Sequence, residues 1–255
     1  MTVAVDLVQL TKIYRDTTEP SVDAIDMSIH KGQLVAMLGP SGCGKTTTMK
    51  MVAGLVDPTS GDVQFDGKSV VDIPAEKRRV AMVFQKPLLF PHMSIGDNVA
   101  FGLRMRGVDK KTRKKRVGEM MELVRLPGME QRRPGQLSGG QEQRISLARS
   151  LITQPDVLLL DEPLSQLDAN LRIEMRDLIR SIQAELGITS IFVTHDQEEA
   201  VMLADRIALM LEGRIQQDGL PKDFYEQPAT QAVARFFGTQ NYVPGTVSGR
   251  AFDSA

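Results

Sequence analysis

The chain is short of cysteine, of net charge and of long apolar runs, and each shortage closes off a class of protein. Cys43 is the single cysteine among 255 residues. No disulfide can form within the chain, and this usage fits a reducing cytosol. Lys and Arg number 31 against 32 Asp and Glu, a formal net charge of -1. That balance argues against a generally basic nucleic-acid coat and against an acidic, self-repelling disordered chain. No apolar run approaches the ~18 residues that a membrane-spanning helix requires. The N-terminal MTVAVDLVQLTKIYRD meets acid at Asp6, without the basic region and apolar stretch of a signal peptide. What is present is ordinary: 42% apolar and 25% charged residues, enough to bury a core. The length fits a generous single domain or a tight pair.

The first 85 or so residues alternate β-like runs with turns. Val3–Val8, Val35–Leu38, Asp62–Phe65 and Val80–Phe84 are apolar or β-branched, and Pro58-Thr59-Ser60-Gly61 and Asp66-Gly67 punctuate them. From about Pro87 to Arg133 the texture becomes helical. Asp109 is placed to cap a helix in which Val117, Met120, Met121 and Val124 make one apolar face, closed by Pro127-Gly128. Val157–Leu160, a helix through Leu171–Leu186, Ile191–Val193 and a helix from Gln197 to Leu203 resume the alternation. A hairpin, Arg206–Leu211 with Arg214–Gln217, is expected to turn at Glu212-Gly213. Strand and helix in alternation predict a layered α/β domain, here with a mostly helical insertion. Arg104–Arg116 holds eight Lys/Arg against one Asp. Alone it would suit phosphate backbones; beside an apolar stripe in a chain of balanced charge it reads as a solvated helix face.

Three motifs carry chemistry. Gly39-Pro40-Ser41-Gly42-Cys43-Gly44-Lys45-Thr46 fits G-x-x-x-x-G-K-[ST], after a strand-like run and before a plausible helix, Thr46–Ala53. Its glycines let successive N–H groups face an anion, and the helix N-terminus adds partial positive charge. Lys45 would reach the β- and γ-phosphates and the Thr46 hydroxyl would help hold Mg²⁺. Cys43 has no His partner near in sequence, so its position asks mainly for its backbone N–H. Val157–Leu160 reads as a strand buried on both faces. It ends in Asp161-Glu162, where open α/β sheets bind ligands. Asp161 suits Mg²⁺ and Glu162 suits polarising an attacking water, although either acid alone is equally a surface or capping residue. Leu137-Ser138-Gly139-Gly140-Gln141 then opens an amphipathic helix carrying Ile145, Ala148 and Ile152; it suits a second anion site at a helix N-terminus, although alone it is equally a cap and turn.

Standing between the phosphate loop and Asp161, the Ser138–Gln141 motif resembles the signature sequence of ABC-type ATPases. The resemblance covers roughly residues 3–240. It implies an α/β P-loop NTPase core of ABC type, with an N-terminal antiparallel β subdomain and a helical insertion subdomain. Residues 1–86 and 151–238 would form the ATP-binding core, and 87–150 the helical subdomain with the signature motif. Residues 239–255 would begin a C-terminal β-rich regulatory region, either naturally short or, as favoured, cut short at Ala255, with Val243–Val247 a strand lacking partners. Other positions gain implied roles. Gln85 looks like the Q-loop glutamine, which contacts Mg²⁺ and attacking water. Ser165-Gln166-Leu167-Asp168 is similar to the D-loop, His195 to the switch histidine, and Tyr14 stands where the family stacks an aromatic on adenine. Thr47 joins the nucleotide contacts of the phosphate loop. Taken singly, Tyr14 is also a core aromatic, His195 a helix-start residue and Gln85 a strand-end polar group. Two residues depart from the pattern: Glu142 stands where relatives often have a second Gln, and Gln166 replaces a usually small residue or Asn. Neither removes a catalytic group.

The resemblance further implies ATP and Mg²⁺ as ligands and a head-to-tail dimer with a second copy or a homologous ATPase subunit. Ser138, Gly139, Gly140, Gln141 and Asp168 of one subunit would close on ATP held by the other. Phe84 to Leu103 resembles importer ATPases of the sugar, polyamine, ferric-iron and sulfate group, with a slight lean to polyamine or ferric iron from Leu88-Leu89-Phe90-Pro91-His92. Apolar Leu88, Leu89 and Phe90 suit a groove that docks a coupling helix, or else a small local core. The implied partners are two membrane-spanning permease subunits and, indirectly, a solute-binding protein, at the cytoplasmic face of the cell membrane and without nucleic acid. The competing class is a soluble ABC ATPase acting on nucleic acid through Arg104–Arg116. An unrelated P-loop kinase or GTPase has no use for the Ser138–Gln141 motif.

Overall fold

A computed structural model of the chain describes residues 2–238, 241, 243, 245–249 and 251–254. In chain order the elements are β1 Val5–Lys12, β2 Val22–Ile29, β3 Leu34–Leu38, α1 Lys45–Ala53, β4 Ser60–Phe65, β5 Lys68–Ser69 and β6 Val80–Val83. Then come α2 Ile95–Met105, α3 Lys110–Leu123, α4 Gly139–Leu151, β7 Val157–Asp161, α5 Ala169–Leu186, β8 Thr189–Thr194 and α6 Gln197–Leu203. The chain continues through β9 Arg206–Leu211, β10 Arg214–Gly219, α7 Asp223–Glu226, α8 Gln231–Phe236, β11 Gly245–Ser248 and β12 Ala251–Ser254.

Two main sheets organise the molecule. One is antiparallel, in the order β2-β1-β4-β5; the other runs β10-β9-β3-β8-β7-β6. In the second sheet β9, β3, β8, β7 and β6 are parallel, and β10 closes one edge as the antiparallel arm of a hairpin. The parallel strands separate two cores, and their residues alternate between them. Leu34, Ala36 and Leu38 face one core and Val35 and Met37 the other; Leu158 and Leu160 oppose Val157 and Leu159 in the same way. The first core is filled by α2–α6. The second is filled by α1 and the inner face of the antiparallel sheet, including Val5, Leu7, Leu10, Ile25 and Met27. Continuous apolar runs therefore mark strands that are wetted on neither face.

The helical stretch after β6 has more structure than its periodicity indicates. α2 is an added helix, capped by Ser94, whose Oγ accepts from the Asp97 amide at 3.1 Å. Asp109 caps α3 as expected, accepting from the Thr112 amide at 3.0 Å, and Val117, Met121 and Val124 are buried beneath it. The basic side of α3 is largely solvated, and among its described lysines and arginines only Lys115 makes an ion pair, with Glu119.

One expectation is corrected at the C-terminus. Val243–Val247 is not a lone strand: Gly245–Ser248 pairs antiparallel with Ala251–Ser254 as a separate two-stranded sheet. Gly249 turns the chain at φ 64, a left-handed conformation that glycine adopts without a Cβ penalty. Residues 239, 240, 242, 244, 250 and 255 of the expected β-rich region lie outside the described residues.

Candidate functional site

The register of the parallel sheet assembles the site. Leu38 lies opposite Thr194, Asp161 opposite Val193 and Val83 opposite Leu160. The loops leaving β3, β6, β7 and β8 therefore emerge on one edge, the carboxyl edge at which such sheets bind ligands. Gly39–Thr46, Gln85, Asp161-Glu162 and His195 all sit there.

The phosphate loop depends on its glycines where space is shortest. A Cβ on Gly39 would lie 2.1 Å from the Met210 carbonyl oxygen, and one on Gly44 would lie 2.3 Å from that of Ser21; both residues have positive φ. Gly44 is the N-cap of α1. The helix therefore starts with free N–H groups turned into the loop. Lys45 is 4% exposed. Its Nζ donates to the Gly39 and Pro40 carbonyls at 2.7 and 2.8 Å, folding over the loop. Cys43 is buried, with Sγ 3.7 Å from Lys45 Nζ. Ser41, Gly42, Gly44, Lys45, Thr46, Thr47 and Glu162 line a cleft of about 220 Å³, with Ser21 completing the wall. Three larger clefts of about 470, 550 and 590 Å³ run along α3. They contain none of the motif residues, so chemistry rather than size selects the site.

The acids converge on this cleft. Thr46 Oγ1 donates to Asp161 Oδ1 at 3.0 Å. Burial pushes the Asp161 carboxyl above the ordinary carboxylate range, and the neighbouring Glu162 adds to the rise; the Thr46 hydrogen bond, Lys50 and Lys45 oppose it. A raised carboxylate beside a hydroxyl is an oxygen pair short of positive charge, which fits a hard divalent cation. Glu162 occupies φ 44, rare for a residue with a Cβ. The turn is held by its amide donating to the Val193 carbonyl at 3.0 Å. It aims the Glu162 carboxylate at the cleft and brings Oε1 within 3.4 Å of His195 Nδ1. Gln85 joins through an intermediary: its Nε2 donates to Ser165 Oγ at 3.0 Å, and Ser165 Oγ donates to the Glu162 carbonyl at 2.9 Å. Tyr14 stands at the rim, 40% exposed, with its hydroxyl 3.4 Å from Thr47 Oγ1 and Lys12 over its ring.

The remaining motif residues stay apart. Ser138, Gly139, Gly140, Gln141 and Asp168 do not line the cleft. Ser138 and Gln141 form a reciprocal capping box: Ser138 Oγ accepts from the Gln141 amide at 3.3 Å and Gln141 Oε1 accepts from the Ser138 amide at 3.0 Å. Asp168 caps α5, accepting from the Leu171 amide at 3.0 Å. Burial raises the carboxyl of Glu142, the departing residue beside the box. Gln166, the other departure, is exposed.

A family model described as ABC transporter matches residues 22–165. The chain belongs to the ABC transporter family. It is 51% identical over 245 residues to the spermidine/putrescine import ATP-binding protein PotA of Thermobifida fusca, covering 95% of this chain and 64% of that protein. It is 49% identical over 244 residues to the Fe(3+) ions import ATP-binding protein FbpC of Escherichia coli, covering 96% and 70%. The chain thus spans a little under two thirds of the first of these relatives. Among solved structures, cbiO1 from Clostridium perfringens, part of the ABC transporter complex cbiONQ, superposes with a TM-score of 0.82 at 30% identity, covering 90% of this chain and 93% of that one. A dimeric ATP-binding cassette in a post-hydrolysis state, bound to ADP and Pi, matches with a TM-score of 0.76 at 29% identity, covering 85% and 98%. The α/β architecture is that of an ABC ATPase core.

In this ABC chain several residues matter that sequence reading passes over. Ser21 reaches the cleft from the bend before β2 and belongs to no local pattern, and Ser165, known in sequence only as the first residue of the Ser165–Asp168 motif, bridges Gln85 to the Glu162 turn. Gln143 Nε2 donates to the Phe84 carbonyl at 3.3 Å, tying the helix of the signature motif to the strand end before Gln85. Arg149 on the same helix holds the Leu88 and Pro87 carbonyls at 2.9 and 3.0 Å. The expected apolar groove is narrower than Leu88, Leu89 and Phe90 together. Leu88 is 61% exposed. Leu89 packs on the core, and Phe90 stacks on Phe101 at 4.8 Å beneath the Arg149 guanidinium.

Proposed function

We propose that this chain is the ATP-hydrolysing subunit of an importer. The carrying observation is that Lys45, Thr46, Asp161, Glu162 and His195 converge on one sheet edge from three separate strand ends. ATP is the substrate. The loop amides between Gly39 and Thr47 and the Lys45 ammonium hold its phosphates. Tyr14 offers its ring to the base. Thr46 and Asp161, with Gln85, would hold Mg²⁺, which neutralises charge on the phosphate oxygens when bound. Glu162 takes a proton from the attacking water, and His195, within reach of Glu162, orients that carboxylate and stabilises the γ-phosphate.

The separation of Ser138–Gln141 and Asp168 from the cleft within one chain supports a head-to-tail dimer, in which these groups complete the cleft of a second copy or a homologous subunit. The donors around Ser138, among them the Gly139 and Gly140 amides that the capping box leaves out, have an anion to bind only while the γ-phosphate persists, so hydrolysis loosens the pair. Two membrane-spanning permease subunits, with a solute-binding protein beyond them, are the partners that fit such a motor at the cytoplasmic membrane face. The exposed Leu88 supplies the docking point. The sequence similarity to polyamine and ferric-iron import subunits supports one of those cation cargoes.

Glu162→Gln tests the core of this reading. It should retain ATP, lose at least about 100-fold in turnover, and accumulate as an ATP-bound dimer in sedimentation. Turnover equal to the parent's would sink the assignment. The exposed basic face of α3 is what a nucleic-acid-acting ABC protein would use, and tight, salt-sensitive RNA binding would favour that reading instead.

A further inference from the structure

The first turn of α5 touches three functional segments at once. Its N-cap is Asp168, at the end of the D-loop. Leu171 packs beneath the signature helix: a Cβ on Gly140 would lie 3.3 Å from Leu171 Cδ1. The next residue, Arg172, reaches in two directions. Its Nη2 donates to the Leu167 carbonyl of the D-loop at 3.3 Å. On the other side, Nη1 stands 3.8 Å from Asp196 Oδ2 and Nε stands 3.8 Å from Glu199 Oε1.

Both acids govern the backbone around His195. Asp196 Oδ1 accepts from the Glu199 amide at 3.1 Å and so caps α6. Glu199 is 7% exposed and accepts from Thr194 Oγ1 at 2.6 Å. The same Thr194 hydroxyl accepts from the Asp196 amide at 3.0 Å. His195 is thus flanked on both sides by groups bonded to one another. The contact to Arg172 is the loose link, because Arg172 Nε is buried without a hydrogen-bond partner. An unpaired buried N–H is costly, and a partner acid stands just beyond hydrogen-bond range. The gap is one that a small shift of the D-loop against α6 closes.

We infer that Arg172 is a positioning residue, coupling the D-loop to His195 through Glu199 and Asp196. The reading rests on the proposed ATPase activity and extends it. When a second subunit moves Asp168 and Leu167, the guanidinium carries that movement to the first turn of α6, and His195 is set against Glu162. Arg172 touches no substrate. Its fork geometry lets it bond a carbonyl and a carboxylate at once, which a lysine cannot reproduce.

The test compares the parent with Arg172→Gln, Arg172→Lys, Glu199→Gln and the Arg172→Gln/Glu199→Gln double variant. Misplacing a reacting group by a fraction of an ångström costs on the order of 10- to 100-fold. Arg172→Gln is expected to lower kcat by roughly that range while KM for ATP stays within about twofold. Arg172→Lys should recover part of the loss. Glu199→Gln keeps an acceptor for Thr194, so it folds while losing the charge that Arg172 seeks. If the two residues act through one contact, the double variant is no worse than the poorer single one. A kcat for Arg172→Gln within twofold of the parent, or losses that multiply in the double variant, would overturn the inference. The parent measured beside Glu162→Gln separates this outcome from failure of the ATPase reading: if both are inactive or equally active, the reading itself is lost.

Discussion

Glu142 shows what one departing side chain does when its surroundings are known. It follows the Ser138–Gln141 capping box in the first turn of α4, where a carboxylate suits the helix dipole. Burial nevertheless raises its pKa. A group whose folded pKa is raised contributes stability that is present at low pH and lost as pH rises through the folded value. Glu142→Gln, which has no charge to desolvate, should therefore melt slightly above the parent at about pH 8, with the difference vanishing as the pH falls below the carboxylate range. A melting difference independent of pH would count against desolvation as the cause. At this scale the legible residues were those whose role is local. Asp109 and Ser138 follow from the amides three positions on, which their side chains cap. The contacts of Ser21 with Thr47 and of Ser165 with Gln85 were not legible, because these partners are distant in sequence and follow no short-range spacing.

Among the elements, β1 and β2 explain why strand reading was incomplete. Val5, Leu7 and Leu10 are buried in β1, and Val22, Ile25, Met27 and Ile29 in β2. Each strand skips a residue in its alternation, and Gln9 and Ala24 have positive φ where the register shifts. A bulge inserts one residue and disguises the period of two. α2 was missed for another reason: its buried Asn98 serves the preceding loop. Asn98 Oδ1 accepts from the Phe90 amide at 2.8 Å, and its Nδ2 donates to the Phe90 and Ser94 carbonyls at 3.1 and 2.9 Å. Asn98→Ala leaves those groups without a partner in a buried place. It should cost roughly 1–3 kcal/mol, seen as a lower denaturant midpoint, with faster hydrogen exchange concentrated in residues 87–94. Exchange that quickens evenly over the whole chain would argue against the clamp.

The whole molecule has its Gly39–Thr46 loop and the acids Asp161 and Glu162 on one sheet edge and the Ser138–Gln141 motif elsewhere, so the proposed composite site between two copies predicts a concentration effect. ATP turnover per chain should rise with protein concentration until the dimer is saturated. A flat profile over a wide dilution series would indicate that one chain suffices. Much of this organisation is legible in the sequence. Apolar runs buried on both faces announce parallel strands, the glycines before Lys45 announce a tight loop that opens a helix, and Ser138-Gly139-Gly140-Gln141 announces a capped helix start. These are short-range matters, decided by sterics and by hydrogen bonds within a few residues. The tertiary structure alone decided that Thr46 meets Asp161, that Glu162 turns through a left-handed conformation to face His195, and that Arg172 stands between the D-loop and α6. Those meetings depend on strand register. Register is set by which side chains fill the two cores together, a condition on the whole chain that no local window of sequence contains.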